Sequence, residues 1–315
     1  MRLCVIMKRG TISEQRKAYL MDTLNIFLTG GLDSSYSVLY YSRYEINIQP
    51  IYLKDKRASE QFELKAINDI LEYVKNDSRT KAVILPLIID ETDRIAKNNK
   101  ITDAYYRITS KLKLGRQYDW LQRYAVEHGH EGILISATNS PEGKVKKVVL
   151  KYGALKKQQE NGYEFYKVDT EKSHKDLNTL FGNIMFSVTW DMTKQEEIKD
   201  LHEKGLDEAV KMIWFCFTPV DGKPCGCCNP CKSYFEENLV DFFDEASKKR
   251  YELTKNCERP TDYELCGVCD NCRKRIENGD TAEFSEAALA RYKEYKSLPE
   301  WRYKLRDMKA RILRK

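Results

Sequence analysis

Cysteine spacing constrains this 315-residue chain more than any other feature of its sequence. Eight of the ten cysteines form two series with the same steps of nine, three and three residues. The two series are Cys216, Cys225, Cys228 and Cys231, and then Cys257, Cys266, Cys269 and Cys272. Each series ends in a C-x-x-C-x-x-C run, whose tight turns bring thiols together as tetrahedral zinc requires. The sequence therefore predicts two zinc ions.

Disulfide bonds are the alternative use of these cysteines. They form in secreted proteins, and the apolar run at residues 3–7 is too short for a secretory signal, so we expect a reducing cytoplasm. Four thiolates leave no open position on zinc, which predicts structural rather than catalytic ions. Outside the series, Cys227 is a competing ligand for the first ion, and Cys4 is typical of a small buried apolar residue.

A glycine pair after an apolar run predicts a phosphate-binding loop. Residues 24–28 have the pattern of a buried strand, and Thr29-Gly30-Gly31-Leu32-Asp33-Ser34-Ser35 follows, before a helix expected to reach about Tyr44. Glycines let backbone N–H groups close around an anion, and a helix start at Ser34 and Ser35 adds positive potential and donors. The loop has neither the Walker spacing and lysine nor the G-x-G-x-x-G of dinucleotide-binding folds.

Short apolar strands alternate with amphipathic helices through the first half of the chain. Strands are predicted at 46–53, 82–89 and 132–137, and helices at 60–75 and near 120–128. The apolar residues of the first of these helices should face a sheet: Phe62, Ala66, Ile67, Ile70, Leu71 and Val74. This alternation predicts an α/β fold with a parallel sheet. Ligands then bind at the carboxyl ends of the strands, where the glycine loop and the segment after Ala137 should meet.

The loop Thr-Gly-Gly-Leu-Asp-Ser resembles the PP-loop of the ATP pyrophosphatase superfamily, whose members carry Ser/Thr-Gly-Gly-x-Asp-Ser after their first strand and cleave ATP between its α and β phosphates. The resemblance implies a five-stranded parallel, Rossmann-like sheet with helices on both faces. It also implies that residues 29–35 bind ATP, with Ser34 and Ser35 holding pyrophosphate. Asp33 would position magnesium or the loop itself.

Over about residues 24–275 the chain resembles one branch of that superfamily, the 7-cyano-7-deazaguanine synthases of the queuosine pathway. Leu114-Gly115-Arg116-Gln117 is similar to that family's Pro-Gly-Arg-Asn segment, and Lys194-Gln195-Glu196 to its Lys-x-Glu helix. The family has one cysteine ladder, whose entry resembles Trp214-x-Cys216 and whose exit resembles Cys272-Arg273-x-Arg275. An internal duplication would produce two ladders. The resemblance implies catalytic roles for Asp33, Ser34, Arg116 and Lys194.

The resemblance also implies a reaction. An ATP-dependent ligase would activate a 7-deazaguanine carboxylate as an acyl-adenylate, and ammonia or an amine would displace AMP to give an amide or nitrile. Residues 53–60 and 138–143 differ from the family's base-recognition segments, so a related carboxylate or a larger deazaguanine conjugate fits equally. Queuosine supply, modification of DNA, and phage or anti-phage defence are all compatible pathways.

A basic insertion at about 140–172 is predicted to form a hairpin, with strands at 148–155 and 163–168 around Asn161-Gly162. Its lysines suit either a phosphate backbone or a solvated face: Lys144, Lys146, Lys147, Lys151, Lys156 and Lys157. A basic amphipathic helix is predicted from Glu300 onward. We expect it to dock on the second zinc module or to contact nucleic acid or an acidic protein.

Composition sets the outer bounds. The sequence predicts a PP-loop domain at 1–213 and a helical zinc-binding region at 214–315. It has no 18-residue apolar run, so no membrane partner is expected. The net charge of +6 is compatible with a nucleic-acid partner without requiring one, and a homodimer is also compatible with the sequence. Two other functions stay open. A PP-loop tRNA sulfurtransferase would need a reactive cysteine, and a zinc-stapled nucleic-acid-binding protein would carry a vestigial nucleotide site.

Overall fold

The computed structural model describes residues 22–139 and 143–299. Cys4 and the helix predicted from Glu300 onward lie outside these residues. Contacts divide the chain into two compact units. The first unit comprises the chain up to Asp55 together with Glu63–Ile213, and the second comprises Lys56–Phe62 together with the chain from Trp214 onward. No helix in the described ranges is long and apolar enough to cross a membrane.

One mixed sheet organises the first unit. Its strands are β1 (Thr23–Phe27), β2 (Asn47–Lys54), β3 (Val83–Ile84), β4 (Ile88–Glu91), β5 (Ile133–Ile135), β6 (Leu155–Glu160), β7 (Tyr163–Val168) and β8 (Ile184–Phe186). Their order is β3-β2-β1-β5-β8-β7-β6, and β4 also pairs with β2. The pairs from β3 and β4 through to β8 are parallel, whereas β7 pairs antiparallel with both β8 and β6.

The prediction of a five-stranded parallel sheet is therefore wrong in strand number, since the sheet has eight strands. The apolar run at 82–89 is one predicted strand but forms β3 and β4, with Pro86 between them. Proline has no N–H to donate to a strand ladder, which accounts for the interruption. The basic insertion extends the sheet with an antiparallel pair. Strand β8 escapes prediction because three apolar residues are too few to show a period.

Helices cover both faces of this sheet. In chain order, the α-helices that precede Trp214 are α1 (Leu32–Tyr41), α2 (Glu60–Asn76), α3 (Asn99–Thr109), α4 (Gln117–Glu127), α5 (Lys144–Tyr152), α6 (Lys175–Phe181), α7 (Lys194–Glu203) and α8 (Asp207–Lys211). Ile51 and Ile135 belong to one buried cluster with apolar residues of α3 to α6. On the opposite face, the Tyr163 ring of β7 packs edge-on against Tyr41 of α1 at 5.4 Å.

In helix α2, the prediction made from the apolar pattern is wrong at Phe62. Phe62 is predicted to face the sheet, but it belongs to the second unit, and its ring stacks on Trp214 of the same unit with centroids 4.5 Å apart. The next residue, Glu63, is buried instead, and the Tyr52 hydroxyl of β2 donates a hydrogen bond to its carboxylate at 2.7 Å. A buried carboxylate is tolerated when it accepts such bonds. The other apolar residues predicted for this face are buried: Ala66, Ile67, Ile70, Leu71 and Val74.

Of the two strands predicted for the insertion, only the second forms where it was expected. Strand β7 and the turn are confirmed, since Asn161 and Gly162 both have positive φ (49° and 83°) as a type I′ turn requires. The strand predicted at 148–155 is wrong. Residues 144–152 form helix α5, which buries Val145, Val148 and Val149 at helical spacing, and the lysine-rich segment 155–160 is the strand. β-Branched valines favour strands locally, but packing of one helical face overrides that preference.

The second unit contains two similar modules, each with one group of four cysteines that could hold a metal ion. Its helices are α9 (Asn229–Glu236), α10 (Glu245–Thr254), α11 (Asp270–Glu277) and α12 (Glu286–Ser297). Gly226 and Gly267, 41 positions apart, have φ of +82° and +77°, and a Cβ on either would lie 2.1 Å from the carbonyl oxygen of Ser247 or Ala288. The same close approach of a glycine to a carbonyl oxygen recurs 41 residues later, as an internal duplication predicts.

Phe186 of β8 offers a test of this core. Its side chain is fully buried, with ring centroids 5.5 Å from Phe181 and 5.0 Å from Trp190. We expect Phe186→Ala to lower the free energy of unfolding by about 3–5 kcal/mol, because truncation leaves a cavity. Urea unfolding followed by circular dichroism measures this. Leu150→Ala is the control, since Leu150 is 66% exposed and should cost about 0.5 kcal/mol or less; equal losses would contradict the assigned core.

Candidate nucleotide and zinc sites

The glycine loop lies at the carboxyl end of β1 and turns directly into α1. Gly30 has φ of +73°, and a Cβ there would lie 2.9 Å from both the Ala66 Cβ and the Glu63 carbonyl oxygen of α2. A side chain is therefore excluded by conformation and by space. Gly31 follows as the N-cap of α1 in extended conformation and supplies no side-chain cap. The first N–H groups of α1 are thus left for an anion.

Hydroxyl groups close the loop on itself. Ser34 Oγ accepts a hydrogen bond from the Thr29 N–H at 3.2 Å, lies 3.2 Å from Thr29 Oγ1, and donates to the Gly31 carbonyl oxygen at 3.2 Å. These bonds hold the turn in shape before any ligand binds. Ser35 Oγ, in contrast, is buried without a hydrogen-bond partner in the described part of the chain.

The loop also sits where strand order reverses. The chain passes from β1 to β2 on one side, while β5 pairs with β1 on the other side. In open α/β sheets, ligands bind in the crevice at the carboxyl edge at such a switch point. The segment after β5 reaches the same edge, since Ser136 Oγ lies 2.7 Å from Ser37 Oγ of α1. This contact agrees with the expectation that the glycine loop and the segment after β5 meet at the carboxyl edge of the sheet.

Lys194 joins the two sides of the crevice. Its ammonium lies 3.3 Å from Asp33 Oδ1 of the loop and donates to Thr138 Oγ1, after β5, at 3.0 Å. The lysine side chain is only 12% exposed. Thr193 places it, because its hydroxyl accepts from the Glu196 N–H and the Glu196 carboxylate accepts from the Thr193 N–H, a capping box that starts α7. The structure thus brings together Asp33 and Lys194.

Arg116 is not brought to the loop in the same way. It is the N-cap of α4, is exposed, and has no side-chain hydrogen bond or ion pair with the described residues. Nearby Tyr118 was not singled out by the sequence. Burial raises the pKa of Tyr118 to about 12. A hydrogen bond with Gln117 opposes this shift less strongly, and the Asp33 carboxylate adds a still smaller increase. Its hydroxyl therefore stays protonated, as a hydrogen-bond donor, at neutral pH.

Sequence reasoning missed three hydroxyl residues of this edge. Ser37 and Ser136 connect α1 to the segment after β5, and Thr138 meets Lys194. Hydroxyl residues directly after a buried strand are the signal that would have indicated them. Taken together, a helix start, a buried ammonium and several hydroxyls form a site suited to an oxyanion such as phosphate.

Each cysteine series gathers its four sulfurs within 4.8 Å of one another. Neighbouring Sγ atoms are separated by 3.4–3.9 Å in the first group and by 3.7–3.9 Å in the second. A Zn–S distance of about 2.3 Å in a tetrahedron gives S···S separations of about 3.8 Å. Both groups therefore fit zinc, and seven of the eight thiols are buried.

Backbone N–H groups point at the sulfurs in the same pattern in both modules. Cys225 and Cys228 N–H groups donate to Cys216 and Cys225 Sγ at 3.2 Å, and Cys266 and Cys269 N–H groups donate to Cys257 and Cys266 Sγ at 3.4 and 3.2 Å. Such donors favour the thiolate form that binds metal. The repeated pattern supports two metal centres of one design.

Cys227 lies beside the first centre but outside its set of four. Its Sγ is 3.7 Å from Cys225 Sγ, and the residue is buried. The second module has Val268 at the corresponding position, 41 residues later. Val268 is a partly buried apolar residue that packs against the second cysteine group, which indicates that this position packs and does not require a ligand.

No family model matches the chain, and no curated protein matches it. Among solved structures, a 4-thiouridine synthetase in complex with RNA and with bound ATP is similar over 73% of this chain, at 12% sequence identity and a TM-score of 0.32. The chain spans about half the length of that protein, since the match covers 53% of it. A likeness this remote decides neither the fold nor the activity, which are inferred from the chain's own residues.

Metal content tests the two centres. We expect two zinc ions per chain by elemental mass spectrometry, and one after Cys257→Ser, because three thiolates do not complete the second tetrahedron. Cys227→Ser is the matched control and should keep both ions. A loss of zinc in this control would show that Cys227 is a ligand, and a metal-free protein with its thiols oxidised would support the disulfide alternative.

Proposed function

We propose that the chain is an ATP-dependent adenylating enzyme of the PP-loop type. The observation that carries this proposal is the contact of Lys194 with both Asp33 and Thr138 at the switch point of the sheet. A lysine held there by Asp33 of α1 and by Thr138, which follows β5, places positive charge beside a loop already built for an anion. ATP is the ligand implied by the Thr-Gly-Gly-Leu-Asp-Ser sequence of that loop.

The roles follow from the chemistry of each group. The free N–H groups at the start of α1 bind the β and γ phosphates, and the ring of Thr29 and Ser34 hydrogen bonds keeps them in position. Lys194 neutralises charge that develops as the bond between the α and β phosphates breaks. Magnesium suits the oxygen ligands of Asp33, whose side chain is 27% exposed. Arg116, exposed at the start of α4, would reach the nucleotide only when it binds.

The acceptor is an acid group. A carboxylate oxygen attacks the α phosphorus of ATP, pyrophosphate leaves, and the acid becomes an acyl-adenylate. Ammonia or an amine then attacks the carbonyl carbon and AMP leaves with the electron pair of its bond. The resemblance of residues 24–275 to 7-cyano-7-deazaguanine synthases favours a 7-deazaguanine carboxylate, whose amide a second adenylation would convert to the nitrile.

Sulfur transfer is the competing function of a PP-loop protein. It needs a thiol that can carry sulfur next to the nucleotide. Of the nine cysteines that the structure describes, eight form the two candidate metal-binding groups of the second unit, and Cys227 is buried beside one of them. This commitment of thiols favours adenylation with an amine. The second unit then serves to stabilise the protein around its metal ions rather than to react.

Nucleotide turnover tests the proposal. The protein is incubated with ATP, magnesium, ammonium and 7-carboxy-7-deazaguanine, and AMP, pyrophosphate and product mass are measured. We expect Lys194→Gln and Asp33→Asn each to lower the rate of AMP formation by about 100-fold, because a preorganised charge near the leaving group is lost. Lys199→Gln is the control on the same helix, since Lys199 is 76% exposed and pairs only with Glu203 at 3.7 Å.

Two outcomes would contradict the proposal. The first is ATP binding and AMP release that are unchanged in both site variants while zinc content is normal. The second is hydrolysis of ATP to ADP and phosphate, which would show cleavage at the other phosphate bond. AMP formation with a different carboxylate would keep the adenylation and replace the deazaguanine substrate.

A further inference from the structure

Positive charge is concentrated at one edge of the first unit. Residues 143–168 contain seven lysines and two glutamates, a net charge of +5, whereas the whole chain has a net charge of +6. These residues form α5, β6 and β7, and β6 is the last strand of the sheet. We call this surface the basic edge and define it by six lysines: Lys144, Lys147, Lys151, Lys156, Lys157 and Lys167.

The lysines of α5 form a line on its outer side. Val145, Val148 and Val149 are buried, while Lys144, Lys147 and Lys151 are exposed. At 100° per residue, positions 144, 147 and 151 fall within about 60° of one another and span about 10 Å along the helix axis. Like charges aligned on one helix face repel each other, which lowers stability unless an anion binds.

The strand pair repeats this arrangement. Lys156 of β6 is directly opposite Lys167 of β7 in the antiparallel register. Two like charges in opposite positions of a strand pair are unfavourable. Within the edge, Lys157 forms an ion pair with Glu164 at 2.8 Å.

Lysines elsewhere on the described surface are arranged differently. Acidic partners three or four residues away on the same helix neutralise many of them, in the pairs Lys199–Glu203, Lys204–Asp200, Lys211–Glu208, Lys248–Glu245 and Lys255–Glu252. By contrast, Lys144, Lys151 and Lys156 have no acidic partner among the residues that the structure describes. Exposed lysines without an acidic partner in the described residues also occur elsewhere, at Lys97 and Lys249 for example, but residues 143–168 concentrate seven lysines against two glutamates.

Protection of an edge strand accounts for only part of the basic edge. Lysines on an exposed strand block pairing with other chains, which is a sufficient reason for Lys156 and Lys157. The line on α5 is not part of a strand, so it needs another explanation. Helix α5 also begins at the carboxyl edge of the sheet, where Lys146 Nζ donates to the Trp190 carbonyl oxygen at 3.2 Å, just after β8.

We propose that the basic edge binds the phosphate backbone of a nucleic acid. Its lysines present point charges in a row, which suits a linear polyanion of regular charge more than a folded acidic protein. The row starts beside the switch-point crevice, so a bound strand would pass close to the nucleotide site. This inference rests on the charge arrangement of α5 and β6 and is independent of the proposed adenylation.

Salt-dependent binding of a labelled 20-nucleotide RNA and the same sequence as duplex DNA tests the proposal. Fluorescence anisotropy is measured between 50 and 250 mM potassium chloride. Because each neutralised phosphate contributes about −0.7 to the slope of log affinity against log salt for single strands, we expect Lys144→Gln/Lys151→Gln/Lys156→Gln to reduce the slope by about 2. Its affinity at the lowest salt should fall about 10-fold or more.

A second triple variant is the control, because it removes the same number of positive charges as the first. Lys199→Gln/Lys211→Gln/Lys248→Gln removes three lysines that have acidic partners, and it should bind as the unchanged protein does. The proposal fails if both triples lose affinity equally, if neither nucleic acid binds with a salt-dependent affinity, or if polyglutamate or anionic lipid vesicles bind the basic edge more tightly. AMP formation by the first triple on a small-molecule substrate should be unchanged, which separates failure here from failure of the adenylation proposal.

Discussion

The close approach of the glycine loop to helix α2 is the constraint on which the nucleotide site depends. Gly30 lies against the Glu63 carbonyl and the Ala66 side chain, so that the loop can leave β1 and enter α1 without a side chain in the way. The other residues of the candidate site are positioned by their contacts with this turn. Ser34 closes it from within, and Lys194 contacts Asp33 at its end. The positive end of α1 is thereby aimed at the carboxyl edge of the sheet.

Local patterns predicted the parts of the molecule that depend on neighbouring residues. The loop, α2, the Asn161-Gly162 turn and both cysteine groups each have a short sequence signature with a physical cause, such as positive φ or ligand spacing. The resemblance to a family indicated Lys194 and Arg116. The structure places only Lys194 against the loop, since Arg116 is exposed at the start of α4.

What the sequence could not predict comes from packing over long separations. Residues 144–152 became a helix because three valines share one buried face, although the same valines favour a strand locally. Phe62 left the expected face because Trp214, far along the chain, offers an aromatic partner. The meeting of Thr138 with Lys194 likewise depends on where β5 and β8 lie in the sheet, which no local pattern encodes.

Strand β8 lies between β5 and β7 and directly precedes the segment that carries Lys194. During synthesis the glycine loop leaves the ribosome more than 150 residues before this lysine does. Until β8 has paired with β5, Asp33 faces the crevice without its counter-ion. The proposed affinity for a triphosphate would therefore be acquired only after this pairing.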